Sequence, residues 1–260
     1  MEWPLKLRVS MFLCLLCAPI ILWSQTVLID PGHGGDDTGA KGKWWKTSSK
    51  EQKKSVTIME KDLALQIATR IYYKLKGKKF NVYLTRSFDR TVPLQDRANM
   101  AEKLNADLYI SVHINSSTNH ASSGFEIYYL DNHSDVAVKK VEAAENNAAM
   151  QEVDPDIQHI LTDLVVERTV ESSKRLAQGV HESMKERMAE FKISARGVKP
   201  GLFYVLALAK RPSLLLEVGF MSNARELDKM MSIPFQEAYA SSVMAGIERY
   251  FAAEKQLKNR

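Results

Sequence analysis

The chain has 260 residues, 45% hydrophobic and 26% charged, which excludes a disordered, collagen-like or low-complexity protein and is enough for one sizeable core. Its net charge of +5 is modest and dispersed, so no nucleic-acid partner is expected, and the lysine clusters at Lys50 to Lys54 and Lys74 to Lys79 read as solvated surface.

The first element is the apolar stretch Met11 to Trp23, preceded by Lys6 and Arg8. It is short for a membrane span and reads as an export signal covering residues 1–25, with cleavage near Ser24 or Gln25. The only cysteines, Cys14 and Cys17, lie inside it, so the mature chain is expected to have no disulfide and no thiolate ligand. Leu13 and Leu16 precede them and do not suit a lipoprotein cleavage site, so no stable membrane anchor is expected.

From residue 26 to about 255, short β-branched or aromatic runs alternate with helical patterns. Strands are expected at Thr26 to Asp30, Phe80 to Thr85, Asp107 to Val112, Phe125 to Leu130, Leu202 to Leu206 and Ser213 to Val218. Helical stripes run through Leu63, Ile67, Ile71 and Leu75, through Leu94, Ala98 and Ala101, through Leu176, Val180, Met184 and Met188, and from Phe235 to Phe251. Gly77 has the composition of a helix C-cap. The stretch Lys41 to Thr57, rich in lysine and serine with Trp44 and Trp45, reads as a loop. The stretch Ser134 to Val165 reads as a helical insertion. The pattern predicts a single α/β domain with a mixed six-stranded sheet flanked by helices and one inserted helical segment.

Four polar residues stand where apolar elements meet loops. His33 follows the first strand in Asp-Pro-Gly-His-Gly-Gly, His113 ends Leu-Tyr-Ile-Ser-Val, Glu60 opens the first helix, and Glu217 ends Ser213-Leu-Leu-Leu-Glu. Two imidazoles and two carboxylates at one rim of a sheet make a catalytic zinc set: three ligands, an open position and a base. Each residue also has a plainer reading. The glycines around His33 suit an anion loop, although Asp36 and Asp37 would repel a phosphate and no P-loop lysine follows. His113 alone would serve as a structural histidine, with Asn115, Ser116 and Ser117 forming a polar lip beyond it. Glu60 suits a helix N-terminus, and Glu217 would suit a core ion pair. Arg86 and Arg97 are candidates for orienting loops or holding acidic substrate groups; ion pairs with Asp89 or Asp96 explain them equally. His120, His133, His159 and His181 lack ligand spacing.

With these residues in hand, the chain resembles the zinc-dependent N-acetylmuramoyl-L-alanine amidases of the type 3 family. The resemblance is carried by Val27-Leu-Ile-Asp-Pro-Gly-His-Gly-Gly, Glu60-Lys-Asp-Leu-Ala-Leu, Leu84-Thr-Arg, Leu94-Gln-Asp-Arg-Ala, Ser111-Val-His-Ile-Asn-Ser, Gly124-Phe-Glu, Arg196-Gly-Val-Lys and Leu216-Glu-Val-Gly-Phe-Met-Ser-Asn. It implies one Zn2+ per chain on His33, Glu60 and His113, Glu217 as the catalytic glutamate, and hydrolysis of the amide between N-acetylmuramic acid and L-alanine in peptidoglycan. It also implies a secreted or periplasmic enzyme of septal wall splitting and daughter-cell separation. The segment 135–165 resembles a regulatory helix displaced by an activator protein, with Glu145, or failing that Glu142, in the open zinc position. Arg86, Arg97 and Asn115 are the expected supports of substrate or loops. The other readings are a peptidoglycan-binding protein of the same fold without turnover, and a zinc peptidase acting within the stem peptide.

Overall fold

The computed structural model describes residues 24–49, 52–132, 136–146 and 155–259. The expected export signal, residues 1–25, lies outside them save for Ser24 and Gln25.

Six strands form one sheet. They are β1 (Thr26–Pro31), β4 (Asn81–Leu84), β5 (Leu108–Asn115), β6 (Phe125–Leu130), β7 (Ala195–Gly201) and β8 (Ser213–Phe220), in the spatial order β4-β1-β5-β8-β6-β7. All neighbours are parallel except β6 against β8, so the sheet is mixed as expected. The strands alternate between two faces. Val27, Ile29, Ile110, Leu214 and Leu216 meet α1 (Glu60–Lys76), α4 (Pro155–Glu190) and α7 (Ile233–Lys258), while Leu28, Tyr109 and Leu215 meet α2 (Leu94–Lys103), α3 (Val136–Asn146) and α5 (Tyr204–Ala209). Strands buried on both faces read as continuous apolar runs, which is why they were legible. A short α6 (Ala224–Met230), capped by the Asn223 side chain, completes the set.

Three expectations are corrected. Lys41 to Thr57 is largely an antiparallel hairpin, β2 (Lys41–Ser49) with β3 (Gln52–Met59), and not a loop. Its lysines and serines hid strands that lie outside the main sheet, where one face stays wet. The strand expected at Leu202 to Leu206 is instead the start of α5, and the edge strand is β7, just before it. β7, in Ala-Arg-Gly-Val-Lys-Pro-Gly, carries two glycines and a proline; Pro200 is tolerated at an edge position. The insertion is not one separate unit: α3 stands alone, but residues 155–165 are the first turns of the 36-residue α4, and Val165 is already in the core. Gly77 does occupy the C-cap of α1, in right-handed conformation.

β1 runs by way of α1 to β4 on one side, and β5 lies on its other side; α1 and α2 cover opposite faces. The C-terminal ends of β1 and β5 therefore flank the point where the chain's winding reverses, the crevice where open α/β sheets place their sites.

Candidate metal centre

His33 follows β1, with Arg86 and Arg97 holding the loop from beneath. Arg86, 1% exposed, donates to the carbonyls of Pro31 (3.1 Å), Gly32 (2.7 Å) and Lys61 (2.8 Å). Arg97 donates to the carbonyls of Pro31 (2.9 Å) and His33 (2.8 Å) and pairs with Asp30 Oδ1 at 2.6 Å. Burial alone would raise the Asp30 carboxyl; Arg97 and the hydroxyls of Thr85 and Tyr109 hold it below the usual carboxylate range. These arginines are loop supports in their geometry, and Asp89 is taken by Lys61 at 2.8 Å. So gripped, His33 sits at φ 58°, a left-handed conformation uncommon outside glycine.

Glu60 opens α1 and is fixed through both oxygens: Oε2 accepts the Ala40 N–H and Oε1 the Ile114 N–H, each at 2.8 Å. Two glycines make room. A Cβ on Gly32 would lie 2.5 Å from the His113 ring, and one on Gly39, at φ 60°, would lie 2.6 Å from Glu60 Oε2. His113 is delivered by β5, and its neighbour in register on β8 is Glu217.

The side chains converge. His33 Nε2 lies 3.1 Å from Glu60 Oε1, His113 Nδ1 lies 3.3 Å from the same oxygen, and Glu145 Oε2 of α3 stands 2.7 Å from His113 Nδ1 and 3.5 Å from His33 Nε2. One donor atom from each of His33, Glu60, His113 and Glu145 fits within 4.8 Å. Yet His33 Nε2, His113 Nδ1 and Glu145 Oε2, all buried, have no aligned hydrogen-bond partner. Orphaned lone pairs facing a common point fit a cation, and an imidazole and carboxylate set of four donors suits zinc in number and type. Burial disfavours the His33 imidazolium, but Glu60 and Asp37 outweigh it and lift its pKa to about 10, the mark of a site that draws positive charge.

Glu217 lies beside this group, 1% exposed, with neither carboxylate oxygen hydrogen-bonded. Burial first, then Glu145 and Glu60, push its carboxyl well above the usual range. Its other register neighbour, Glu126 on β6, is fully engaged: Arg196 at 2.6 Å and Lys199 at 2.7 Å on one oxygen, Tyr128 at 2.6 Å and Asn115 at 3.0 Å on the other. Asn115 is thus tied to Glu126 at the cleft wall.

Glu142, the other glutamate considered on α3, is not at the centre. Its Oε1 accepts the Leu202 N–H at 2.6 Å, and Asn146 bonds the Leu202 carbonyl (2.7 Å) and the Tyr204 N–H (2.9 Å). With Val138 buried, these contacts lay α3 along the β7–α5 junction. Lys140, Val141, Ala144 and Glu145 then wall a cavity of about 770 Å³ that also holds His33, Glu60 and His113.

Sequence reasoning missed Asp37 and Glu126 as functional neighbours. Asp37 Oδ2 lies 2.8 Å from His33 Nδ1, an orientation that leaves Nε2 free as a ligand. The only sequence signal was an acid four residues on from a histidine in a tight turn. If the group holds a divalent metal, Asp37→Asn is expected to weaken that binding about 10- to 100-fold, measured against a chelating dye, with the melting temperature little changed because Asp37 is half exposed. Unaltered affinity would show that this contact does not orient the ring.

A model of the N-acetylmuramoyl-L-alanine amidase family matches residues 27–249. The chain belongs to that family. It is 32% identical over 242 residues to N-acetylmuramoyl-L-alanine amidase AmiC of Escherichia coli O6:H1 (strain CFT073), an alignment that covers 90% of this chain and 54% of the relative. The chain thus spans about half the length of that protein. It is also 32% identical over 235 residues to AmiA of Escherichia coli K12, covering 87% of this chain and 76% of AmiA. Among solved structures it is similar to AmiC2 of Nostoc punctiforme, with TM-score 0.64 and 28% identity over 88% of this chain and 97% of that one. The amidase from Clostridium difficile 630 gives TM-score 0.62 and 28% identity, with the same coverage.

Proposed function

We propose that this protein is a zinc amidase of peptidoglycan, cutting between N-acetylmuramic acid and the L-alanine of the stem peptide, with His33, Glu60 and His113 as protein ligands and Glu217 as proton carrier. The observation that carries the reading is the convergence of unpartnered His33 and His113 nitrogens on Glu60, beside a buried, unpartnered Glu217. A zinc ion held there supplies Lewis-acid activation of water and of the scissile carbonyl. Asp37 holds the His33 tautomer, and Arg86 and Arg97 hold the loop that presents it. Glu217, raised in proton affinity by burial, takes the proton of the attacking water and returns it to the leaving amine.

Glu145 carries the regulatory half of the proposal. Its carboxylate meets both histidines, so with a metal bound there Glu145 would serve as a further donor in place of water, while α3 walls the cleft. An activator protein that lifts α3 from the Leu202–Tyr204 backbone releases both. Residues 1–25, with Lys6 and Arg8 before an apolar run, support export, and septal wall splitting is the corresponding cellular role; among the described residues no helix is long and apolar enough to cross a membrane.

The test is mass spectrometry of purified peptidoglycan after incubation with the Glu145→Ala protein. Intact stem peptides beginning at L-alanine are expected, lost on chelation and restored by zinc. Shorter peptides would identify a stem-peptide peptidase, and a folded, zinc-loaded protein that binds without releasing product would be a binding protein.

A further inference from the structure

The β2–β3 hairpin is rooted at the metal centre: it begins after Ala40, whose N–H holds Glu60, and ends at Met59, the residue before Glu60. One of its faces is built into the domain. A Cβ on Gly42 would lie 2.6 Å from the Met221 carbonyl oxygen, Trp44 and Ile58 pack on the core, and Trp44 Nε1 donates to Asp228 Oδ1 at 3.1 Å. Strand alternation sends Lys41, Lys43 and Trp45 to the opposite face, with Ser55 and Thr57 across from Trp45 and Lys43; all five are exposed, Trp45 at 53%. Neither strand contains an acidic residue, so within β2 and β3 these ammonium groups have no counter-charge. An indole held out from a two-stranded ribbon adds nothing to its core, and an exposed aromatic plane bordered by cations has the composition of a recognition surface.

Resting on the reading of peptidoglycan as substrate, we propose that this face is a second binding surface for the polymer, distinct from the hydrolytic cleft. The Trp45 indole stacks on the apolar face of a sugar ring, and Lys41 and Lys43 pair with carboxylates of the stem peptides. Charge complementarity favours this occupant. Trp45 stands four residues out from the ribbon's root, about 13 Å along the strand, so a strand lying on the hairpin leads toward the metal centre.

The test is co-sedimentation of the full chain carrying Glu217→Gln with purified, insoluble peptidoglycan at low and high salt. Trp45→Ala is expected to weaken binding about fivefold, and Trp45→Tyr to restore most of it. Lys41→Glu with Lys43→Glu is expected to weaken binding about tenfold at low salt and less at high salt. Lys185→Glu with Lys255→Glu, which removes equal charge from α4 and α7, should leave binding unchanged. Hairpin variants that sediment like the parent, an equal loss in the α4/α7 control, or a parent that does not sediment would overturn the proposal. So would hairpin variants that lose binding to phosphatidylglycerol vesicles while keeping the polymer. Since this readout needs no turnover, hairpin-dependent binding without product release would remove the hydrolytic reading alone, and product release without hairpin-dependent binding would remove this one alone.

Discussion

Glu217→Gln is expected to lower amidase turnover by about 10²- to 10⁴-fold, the range that a positioned general acid–base contributes, while zinc content stays at one ion per chain. The glutamine is nearly isosteric and keeps the hydrogen-bonding surface, but it cannot take up a proton. The fold should not suffer. In the metal-free protein the Glu217 carboxyl is held above its usual range, chiefly by burial, so the folded state binds its proton more tightly than the unfolded chain does. The sign follows from linkage: this group favours folding below the unfolded carboxylate pKa, near 4.3, and that contribution is lost as pH rises toward the folded value. The metal-free Gln variant should therefore melt at or above the parent temperature, by a margin that widens as pH rises. Hydrolysis retained within a few-fold of the parent, at full zinc content, would remove Glu217 from the proton-carrying role.

Glu145→Ala is expected to act in the opposite direction, raising basal hydrolysis about 10- to 100-fold. Losing a charge-assisted contact of ~1.5–3 kcal/mol shifts the balance between covered and open states by that factor. The single variant keeps α3 on the surface through Glu142, Asn146 and Val138, so it separates the ligand from the lid. Adding Glu142→Ala and Asn146→Ala should raise activity further by freeing the helix from the Leu202–Tyr204 backbone. Point substitution is the proper tool here, because excising residues 135–165 would remove about three turns of α4 along with buried Val165. If neither variant exceeded the parent in hydrolysis with intact zinc content, α3 would not be an inhibitory element.

The amino-acid order by itself determined the class of fold and which polar residues stand at the sheet rim. β1, β5, β6 and β8 are buried along almost their whole length, and burial on both faces leaves a predominantly apolar run, as a central strand requires. The same logic exposed His33, His113 and Glu217: a polar residue ending such a run has a desolvation cost that must be offset by something. Elements whose faces differ were harder to read. The β2–β3 ribbon is polar enough to pass for a loop, and the edge strand β7 is broken by glycine and proline, so its role moved to the more apolar residues behind it.

Only the tertiary structure decided which carboxylate of α3 meets His33 and His113. Glu142 and Glu145 are three residues apart and share one helix face, so spacing cannot separate them. The docking of α3 against Leu202 and Tyr204 sends Glu142 to a backbone N–H and Glu145 to the histidines. The same holds for Arg86, Arg97, Asp37 and Glu126, whose partners lie on other elements or across a turn. Apolar burial is recorded residue by residue along a chain, whereas the pairing of charges depends on distances that exist only once the layers have packed.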